Sequence, residues 1–152
     1  MPLVVDGIAE ITRLAGRDLG HSRWWEVTQK QIDAFADVSG DHQWIHTDTD
    51  RAADGPFGGT IAHGYMILSW GVPMVAELIR VTGVGMALNY GLGKVRYPAP
   101  VPVGSRVRLH AAVTAVREVG RGGVEVSRAF TFELDGSAKP ACVAESLTHY
   151  YP

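Results

Sequence analysis

Residues 64–81 read GYMILSWGVPMVAELIRV, and they form the most apolar helix candidate of the chain. Apolar side chains occur on every side of this helix, so the rest of the chain must surround it. Pro73, Glu77 and Arg80 interrupt the apolar run. Such interruptions are typical of a core helix and not of a membrane span. We therefore predict a long central helix from Gly64 to Val81, buried in the middle of the fold.

The residues after this helix predict the strands that wrap it. Polar and apolar side chains alternate in Arg106 to Ala111, which indicates a strand with one buried face. Four strand-like runs are expected, at Gly85–Tyr97, Ser105–Val119, Val124–Leu134 and Lys139–Tyr151. Glycine-containing connections at 120–123 and 135–136 are typical of hairpin turns. Strands longer than usual can curl, so we predict an α+β fold with a strongly bent antiparallel sheet around one helix.

The first forty residues predict two helices and a strand. Asp6 is placed to cap a short helix, and Ser22–Val27 reads as a short strand. Thr28 followed by Gln31 forms a capping-box pattern, which predicts the start of a second helix. Gly40 supplies the stop of that helix, because glycine readily adopts the left-handed conformation that ends helices.

Composition and charge bound the class of protein. The 152 residues are 46% hydrophobic and 20% charged, and we expect residues 1–152 to form a single globular domain. A net charge of −2 gives no reason to expect nucleic acid or an anionic membrane as a partner. Cys142 is the only cysteine, which excludes an internal disulfide, and its apolar neighbours indicate a core position. No secretory signal is evident at the N-terminus, so a cytoplasmic location is the expectation.

An acid and an imidazole follow the helix that ends at Gly40. Asp41 and His46 lie five residues apart, and Gly64 begins the apolar helix with an N–H that a ligand can approach closely. These groups can together protonate, deprotonate and stabilise an oxyanion on one small substrate. Each also has a plainer interpretation: Asp41 in a Gly-Asp turn, His46 as a half-buried loop histidine, and Gly64 as a flexible helix start.

Three blocks of sequence carry a family resemblance. Residues 35–48 read FADVSGDHQWIHTD, residues 61–64 read IAHG, and residues 94–105 read KVRYPAPVPVGS. Together they resemble the MaoC-like dehydratases, the (R)-specific enoyl-CoA hydratases. This resemblance implies the hotdog fold, in which a curved antiparallel sheet wraps a long central helix. Gln43-Trp44 replaces the Asn-Pro dipeptide that is usual in the family, and Trp44 would place a bulky ring beside the imidazole of His46.

The resemblance implies reversible addition of water to a trans-2-enoyl thioester, which gives an (R)-3-hydroxyacyl thioester. Asp41 and His46 would hold the water and share the proton transfers, with either one as acid or base. The backbone amide of Gly64 would stabilise the enolate. Coenzyme A is part of the substrate in this reaction, and no nicotinamide, flavin or other cofactor is expected.

A metal is not expected either. His42 and His46 have the i,i+4 spacing of some zinc ligands, with Asp48 and His63 nearby in sequence. The two histidines lie in a predicted loop, however, and the sequence lacks the Glu of a His-Glu-x-x-His site. We therefore predict acid–base chemistry without a metal.

Further residues near the three blocks are candidates for contact with the substrate. His63 is expected to be a buried hydrogen-bonding residue that shapes the loop before the helix. Lys94 and Arg96 lie two apart on one strand, so they share a face and are candidates to contact the phosphates of coenzyme A. A solvated cationic face is an equal alternative for these two. Tyr65 and Trp44 are candidate pocket residues.

Two other functions fit the same residues. A hotdog thioesterase would use a carboxylate to attack, or to activate water, at the thioester carbonyl. A non-catalytic acyl-CoA-binding subunit would bind the ligand without turnover, although the presence of both proposed catalytic side chains favours an enzyme. A sheet of this kind leaves an exposed edge and one open face, so we expect at least a homodimer. The sequence leaves open the acyl chain length, and coenzyme A versus acyl-carrier protein as the carrier.

Overall fold

The computed structural model describes all 152 residues, with most helices in the first half of the chain and long strands in the second. The strands are β1 (Leu3–Asp6), β2 (Asp18–His21), β3 (Trp25–Glu26), β4 (Ile79–Thr82), β5 (Met86–Arg96), β6 (Arg106–Glu118), β7 (Val124–Leu134) and β8 (Cys142–Tyr151). The helices are α1 (Gly7–Ile11), α2 (Gln29–Ser39), α3 (Trp44–Thr47), α4 (Thr49–Ala53), α5 (Gly64–Ser69) and α6 (Gly71–Ala76).

Six strands form one antiparallel sheet in the order β2-β6-β7-β8-β5, and β3 also pairs with β6. Strands β5 to β8 are 11, 13, 11 and 10 residues long. Register shifts interrupt β6 between Val113 and Ala115, and they interrupt β5 twice. Because irregularities of this kind bend a strand and increase its twist, the long strands can curve around a helix. The predicted α+β class and antiparallel sheet are confirmed.

The helices α5 and α6 pack against the inner face of the sheet. Met66, Ile67 and Met74 are buried there, in one cluster with Leu109 and Phe132 of the sheet. Close approach of helix and sheet is helped by glycine at the first position of α6, where an added Cβ would lie 3.0 Å from the ring of Phe130. The main core is therefore built between these two helices and β6–β8.

Cys142 is fully buried in the same cluster. Burial raises the pKa of its thiol to about 11. A thiol with so high a pKa is held in the unreactive protonated form, because the thiolate is the nucleophile. The prediction of a core cysteine is confirmed.

The central helix is shorter than predicted. Its two parts join at Trp70, which keeps helical backbone angles, and the helix ends at Ala76. Residues Ile79–Thr82 form a strand instead, because they pair in parallel with β1 and because Ile-Arg-Val-Thr is rich in β-branched residues. The helix is also not surrounded on every side, since Tyr65 and Val72 are 72% and 56% exposed. None of the helices has the length and hydropathy needed to span a lipid bilayer.

The predicted strand Ser22–Val27 is also wrong in most of its length, since only Trp25 and Glu26 pair there. The carboxylate of Glu77 accepts hydrogen bonds from the backbone N–H of Arg23 and from the indole of Trp25, both at 2.9 Å. These bonds tie the segment to the end of α6 and away from a longer strand pairing.

Asp6 does lie at the N-cap of α1, but its side chain makes no capping hydrogen bond. Its carboxylate accepts from the hydroxyl of Thr82 at 2.8 Å instead. The contact links the end of β1 to the end of β4. The carboxylate that the local sequence predicts as a helix cap therefore stabilises the long-range strand pairing instead.

Helix α2 begins and ends as predicted. Thr28 and Gln31 form a complete capping box, and Gly40 ends the helix in the left-handed conformation with φ of 79°. A non-glycine residue is disfavoured there because its Cβ clashes with the backbone in that conformation. The reversal at Gly40 directs the next residues of the chain toward the loop before α5.

Replacing Thr28 by alanine is expected to lower the free energy of unfolding by about 1 kcal/mol, because the N–H of Gln31 loses its acceptor. Urea denaturation followed by circular dichroism measures the change. The matched control is Thr49→Ala, since Thr49 is exposed and starts α4. Equal losses in the two variants would show that the capping box contributes nothing specific.

Candidate active site

A cavity of about 440 Å³ opens between the segment after α2 and the start of α5. Among the residues that line it are five of the predicted site residues, which are Asp41, His46, His63, Gly64 and Tyr65. The rest of the lining is largely apolar, and half of it comes from the segment that follows β5. The cavity therefore combines titratable groups with an apolar surface.

His46 is held in a defined orientation by a buried hydrogen bond. Its Nδ1 lies 2.7 Å from the carbonyl oxygen of Ile61. A carbonyl can only accept, so Nδ1 carries the proton, and in the neutral ring Nε2 is left with a lone pair. Nε2 lies 4.0 Å from Oδ2 of Asp41. Two acceptor atoms at that separation can both contact a single water, about 2.8 Å from each.

Burial lowers the pKa of His46 below its ordinary value of 6.5. The neighbouring ring of His63 acts in the same direction, while the Ile61 carbonyl and the carboxylate of Asp41 oppose it. The dominant cause is the loss of hydration of the charged imidazolium, since the His46 side chain is only 8% exposed. His46 is thus suited to act as a neutral base near pH 7.

His63 links the two catalytic candidates. Its Nε2 donates to the backbone carbonyl of Asp41 at 2.8 Å, and its ring stacks on that of His46 with centroids 3.8 Å apart. The residue is buried, as predicted, and its Nδ1 has no hydrogen-bond partner. Asp41 itself keeps a half-exposed side chain, whose Oδ1 accepts from the backbone N–H of Gln43 at 3.3 Å. Its carboxylate is therefore accessible from the cavity.

Gln29 is a supporting residue that the sequence did not reveal. Its amide nitrogen donates to the backbone carbonyl of His46 at 2.7 Å, and its amide oxygen accepts from the hydroxyl of Thr60 at 2.5 Å. One side chain at the start of α2 thus fixes α3 to the loop before α5. Nothing in the sequence around Gln29 signals these contacts, because both partners are distant in the chain.

Gly64 is the first residue of α5, and its backbone N–H has no hydrogen-bond partner. An added Cβ would lie only 2.9 Å from the ring of Tyr97, which also lines the cavity. Glycine at this position therefore keeps space open beside a free donor. Tyr97 belongs to the third sequence block, yet that pattern gave no reason to place its ring over Gly64.

Three predicted contact residues do not line the cavity. The ring of Trp44 lies under the guanidinium of Arg51, 4.2 Å from it, and faces Gly55, so it does not cover the His46 imidazole. Lys94 and Arg96 are exposed on β5. Contact of these two with coenzyme A phosphates stays a prediction.

Asp41, His46 and His63 are also close enough to be considered as metal ligands, with candidate ligand atoms all within 4.8 Å of one another. Their orientation does not fit, however. The two imidazole planes are stacked at an interplanar angle of 23°. A metal lies in the plane of a ligating imidazole at about 2.0–2.1 Å, so two stacked rings cannot both bind the same ion.

The sequence matches a known protein family and known proteins along most of its length. The MaoC-like domain family matches residues 10–131 of the chain. The 3-hydroxyacyl-thioester dehydratase Z of Mycobacterium tuberculosis strain H37Rv is 50% identical over 145 residues, which are 95% of this chain and 96% of that protein.

Solved structures agree in fold. The monoamine oxidase regulatory protein from Archaeoglobus has a TM-score of 0.81 at 22% identity, over 100% of this chain and 99% of that one. The (R)-hydratase from A. caviae involved in PHA biosynthesis has a TM-score of 0.73 at 22% identity, over 91% and 96% of the two chains. These likenesses confirm the predicted hotdog fold. With the family match and a relative at 50% identity along nearly its whole length, the chain belongs to the MaoC-like dehydratase family.

Proposed function

We propose that this protein is an (R)-specific 3-hydroxyacyl-thioester dehydratase, which acts in reverse as an enoyl-thioester hydratase. The observation that carries the proposal is the pairing of a neutral, oriented imidazole with a carboxylate 4.0 Å away at one cavity. The name of the mycobacterial relative, a 3-hydroxyacyl-thioester dehydratase, supports the same reaction.

The tautomer of His46 supports a division of labour in the hydration direction. Nε2 has a free lone pair, so it takes a proton from the water as the water oxygen bonds to the β-carbon of the alkene. The carboxylate of Asp41 then takes this proton from the imidazolium, across the 4.0 Å that separates the two groups, and delivers it to the α-carbon, which restores both groups. Because both groups act from one side of the cavity, hydrogen and hydroxyl add to the same face.

Negative charge builds on the thioester oxygen during this reaction. The free N–H of Gly64 is the donor that we assign to that oxygen, since it lines the same cavity as Asp41 and His46. Donors fixed in advance where charge develops stabilise the transition state without further reorganisation. No metal or redox cofactor takes part in the proposed steps.

The test is a hydration assay with crotonyl-CoA that follows enoyl absorbance, free thiol and product chirality together. We expect absorbance to fall without thiol release, and the product to be the (R)-3-hydroxyacyl thioester. Thiol release with the double bond intact would identify a thioesterase instead. Stoichiometric binding without turnover would identify a binding subunit.

The pH profile provides a second check. We expect the acidic limb of kcat/KM to have its midpoint below pH 6.5, because the lowered pKa of His46 keeps the base neutral as the pH falls through 6.5. Protonation below that lowered pKa removes the lone pair on Nε2 and therefore the activity. Initial rates between pH 5 and 8 at low crotonyl-CoA concentration measure it, in buffers of constant ionic strength. A midpoint above 6.5 would show that His46 is not the base.

We also propose that the chain works as a homodimer joined along β5. This strand is at the edge of the sheet, and Met86, Leu88, Tyr90 and Leu92 on it are each between 45% and 59% exposed. An uncovered edge with apolar side chains favours pairing with another strand. Size-exclusion chromatography with light scattering should give twice the mass of one chain, and a monomer at assay concentrations would contradict the proposal.

A further inference from the structure

Two further cavities lie along the helices α5 and α6. The middle cavity, of about 270 Å³, is lined by Leu68 and Leu92 among others. The far cavity, of about 230 Å³, is lined by Val75 and Arg128 among others. The middle and far cavities adjoin each other, since they share the lining residues Gly71, Val72, Asn89, Phe130 and Ser146.

The helix that begins at Gly64 runs past all three cavities, although the active-site cavity shares no lining residue with the other two. Tyr65 of the active-site cavity lies one helical turn before Leu68 of the middle cavity. Tyr97, which directly follows β5, lines the active-site cavity, while Leu92 and Ala87 of β5 line the middle and far cavities. We call this line of three cavities the acyl groove, because it begins where the thioester would react.

The far end of the acyl groove contains a buried arginine without an acidic partner. Arg128 is 3% exposed and points inward from β7, between the inward residues Val126 and Phe130. Its two Nη atoms donate to the hydroxyl groups of Thr148 and Tyr150 at 2.9 and 2.7 Å. Its Nε is buried and has no hydrogen-bond partner.

An arrangement of this kind is costly unless an anion completes it. Guanidinium is always charged, and a buried charge normally pairs with an opposite charge. The hydroxyl groups of Thr148 and Tyr150 are neutral, and the polar lining of the far cavity otherwise consists of Asn89 and Ser146. The guanidinium carbon lies 5.7 Å from the centre of the Tyr150 ring, and no carboxylate accompanies it. The end of the groove therefore offers hydrogen bonds and one positive charge that no anion neutralises.

We propose that Arg128 receives a carboxylate at the far end of the acyl chain, so that the substrates are thioesters whose acyl group ends in a second carboxyl. A carboxylate matches the charge of the guanidinium and can accept from the second N–H of each Nη, because Thr148 and Tyr150 take only one N–H each. The helix rises about 16 Å from Gly64 to Val75, which corresponds to an acyl chain on the order of ten carbons. The inference names the substrate class of the proposed dehydratase and rests on that proposed function.

The apolar middle of the groove supports a ligand with charge only at its end. Leu68, Val72, Leu92 and Phe130 line this part together with two uncharged polar residues, Asn89 and Ser146, and no charged side chain does. A methylene chain can cross this part of the groove in contact with its apolar side chains. A shorter dicarboxylic chain would leave its carboxylate in this apolar segment, where ionisation is disfavoured.

The test compares pairs of trans-2-enoyl-CoA substrates of equal length that end in either a carboxylate or a methyl group. At chain lengths on the order of ten carbons we expect kcat/KM to favour the carboxylate by roughly 10- to 100-fold, as for a hydrogen bond between charged groups. Chains of about five carbons should show no such preference, because their carboxylate cannot reach Arg128.

The variant Arg128→Met should reverse the preference for the long carboxylate substrate, and Arg128→Lys should keep part of it because the charge remains. The matched control is Arg80→Met, the same substitution at an exposed arginine outside the groove, which should keep the wild-type ratio. If Arg128→Met does not fold, Tyr150→Phe removes one of the two hydroxyl groups that hold the guanidinium and should reduce the ratio.

Several results would overturn the inference. If both long substrates are hydrated and the methyl-terminated one is preferred, the inference about Arg128 is wrong. The proposed dehydratase activity would be unaffected by that result. Loss of the dimer together with equal loss of both activities in Arg128→Met would make Arg128 an interface residue. If neither substrate nor crotonyl-CoA is hydrated, the proposed function itself fails.

Discussion

Replacing Asp41 by asparagine is expected to lower the turnover of crotonyl-CoA by about 10³-fold and to leave the fold intact. Asparagine cannot supply or accept the proton that the α-carbon exchanges. The backbone carbonyl of Asp41 still accepts from His63, and the new amide oxygen can still accept from the N–H of Gln43, so the local structure is kept. The loss should appear in kcat more than in KM, since the carboxylate acts in the transition state.

His46→Gln is expected to give a loss of similar size, about 10³-fold, because it removes the lone pair of Nε2. The controls are the same substitutions at exposed neighbours outside the cavity, which are Asp54→Asn and His42→Gln. Both controls should retain near wild-type rates, and circular dichroism with thermal melts should show that all four variants fold. If either Asp41→Asn or His46→Gln hydrates crotonyl-CoA at close to the normal rate, the proposed acid–base pair is wrong.

The features that the sequence predicted well depend on short-range interactions. The capping box at Thr28 and the left-handed stop at Gly40 involve residues at most four apart, and both occur as expected. Asp41 and His46 lie close together because the chain reverses at Gly40 and only the start of the short helix α3 lies between the two residues. Local chain geometry is sufficient to bring this pair together, so a sequence motif can encode it.

The features that the sequence predicted poorly depend on contacts between residues that are far apart in the chain. The helix stops at Ala76 because β1, more than seventy residues earlier at the N-terminus, offers Ile79–Thr82 a strand to pair with. Gln29 and Tyr97 support the site only through contacts with residues more than a dozen positions away. Composition and periodicity contain no information on such pairings.

Arg128 is an intermediate case, since a local signal was present. Residues 124–132 read VEVSRAFTF, and the apolar residues at alternate positions place Arg128 on the inward face between Val126 and Phe130. The pattern thus predicts a buried arginine in the middle of a strand. Only the three-dimensional structure shows that no carboxylate accompanies it.

Gly64→Ala is expected to lower kcat/KM by about 10²-fold, a loss similar to that of one oxyanion-hole donor. The carbon of the new methyl group would lie only 2.9 Å from the ring of Tyr97, so the ring must move within the cavity that holds Asp41 and His46. The methyl group would also stand beside the free N–H to which the thioester oxygen binds in our proposal. Steady-state kinetics with crotonyl-CoA measure the loss.

The double variant Gly64→Ala/Tyr97→Ala separates the two causes. If displacement of the Tyr97 ring were the whole cause, removing that ring would restore the rate to that of the single variant Tyr97→Ala. We expect the rate to stay low, because the methyl group still crowds the N–H of Gly64 after the ring is gone. Gly59→Ala serves as the control, since an added Cβ at Gly59 meets no atom within 4 Å and this residue lies outside the cavity lining. Wild-type activity in Gly64→Ala would show that the thioester oxygen does not approach this amide.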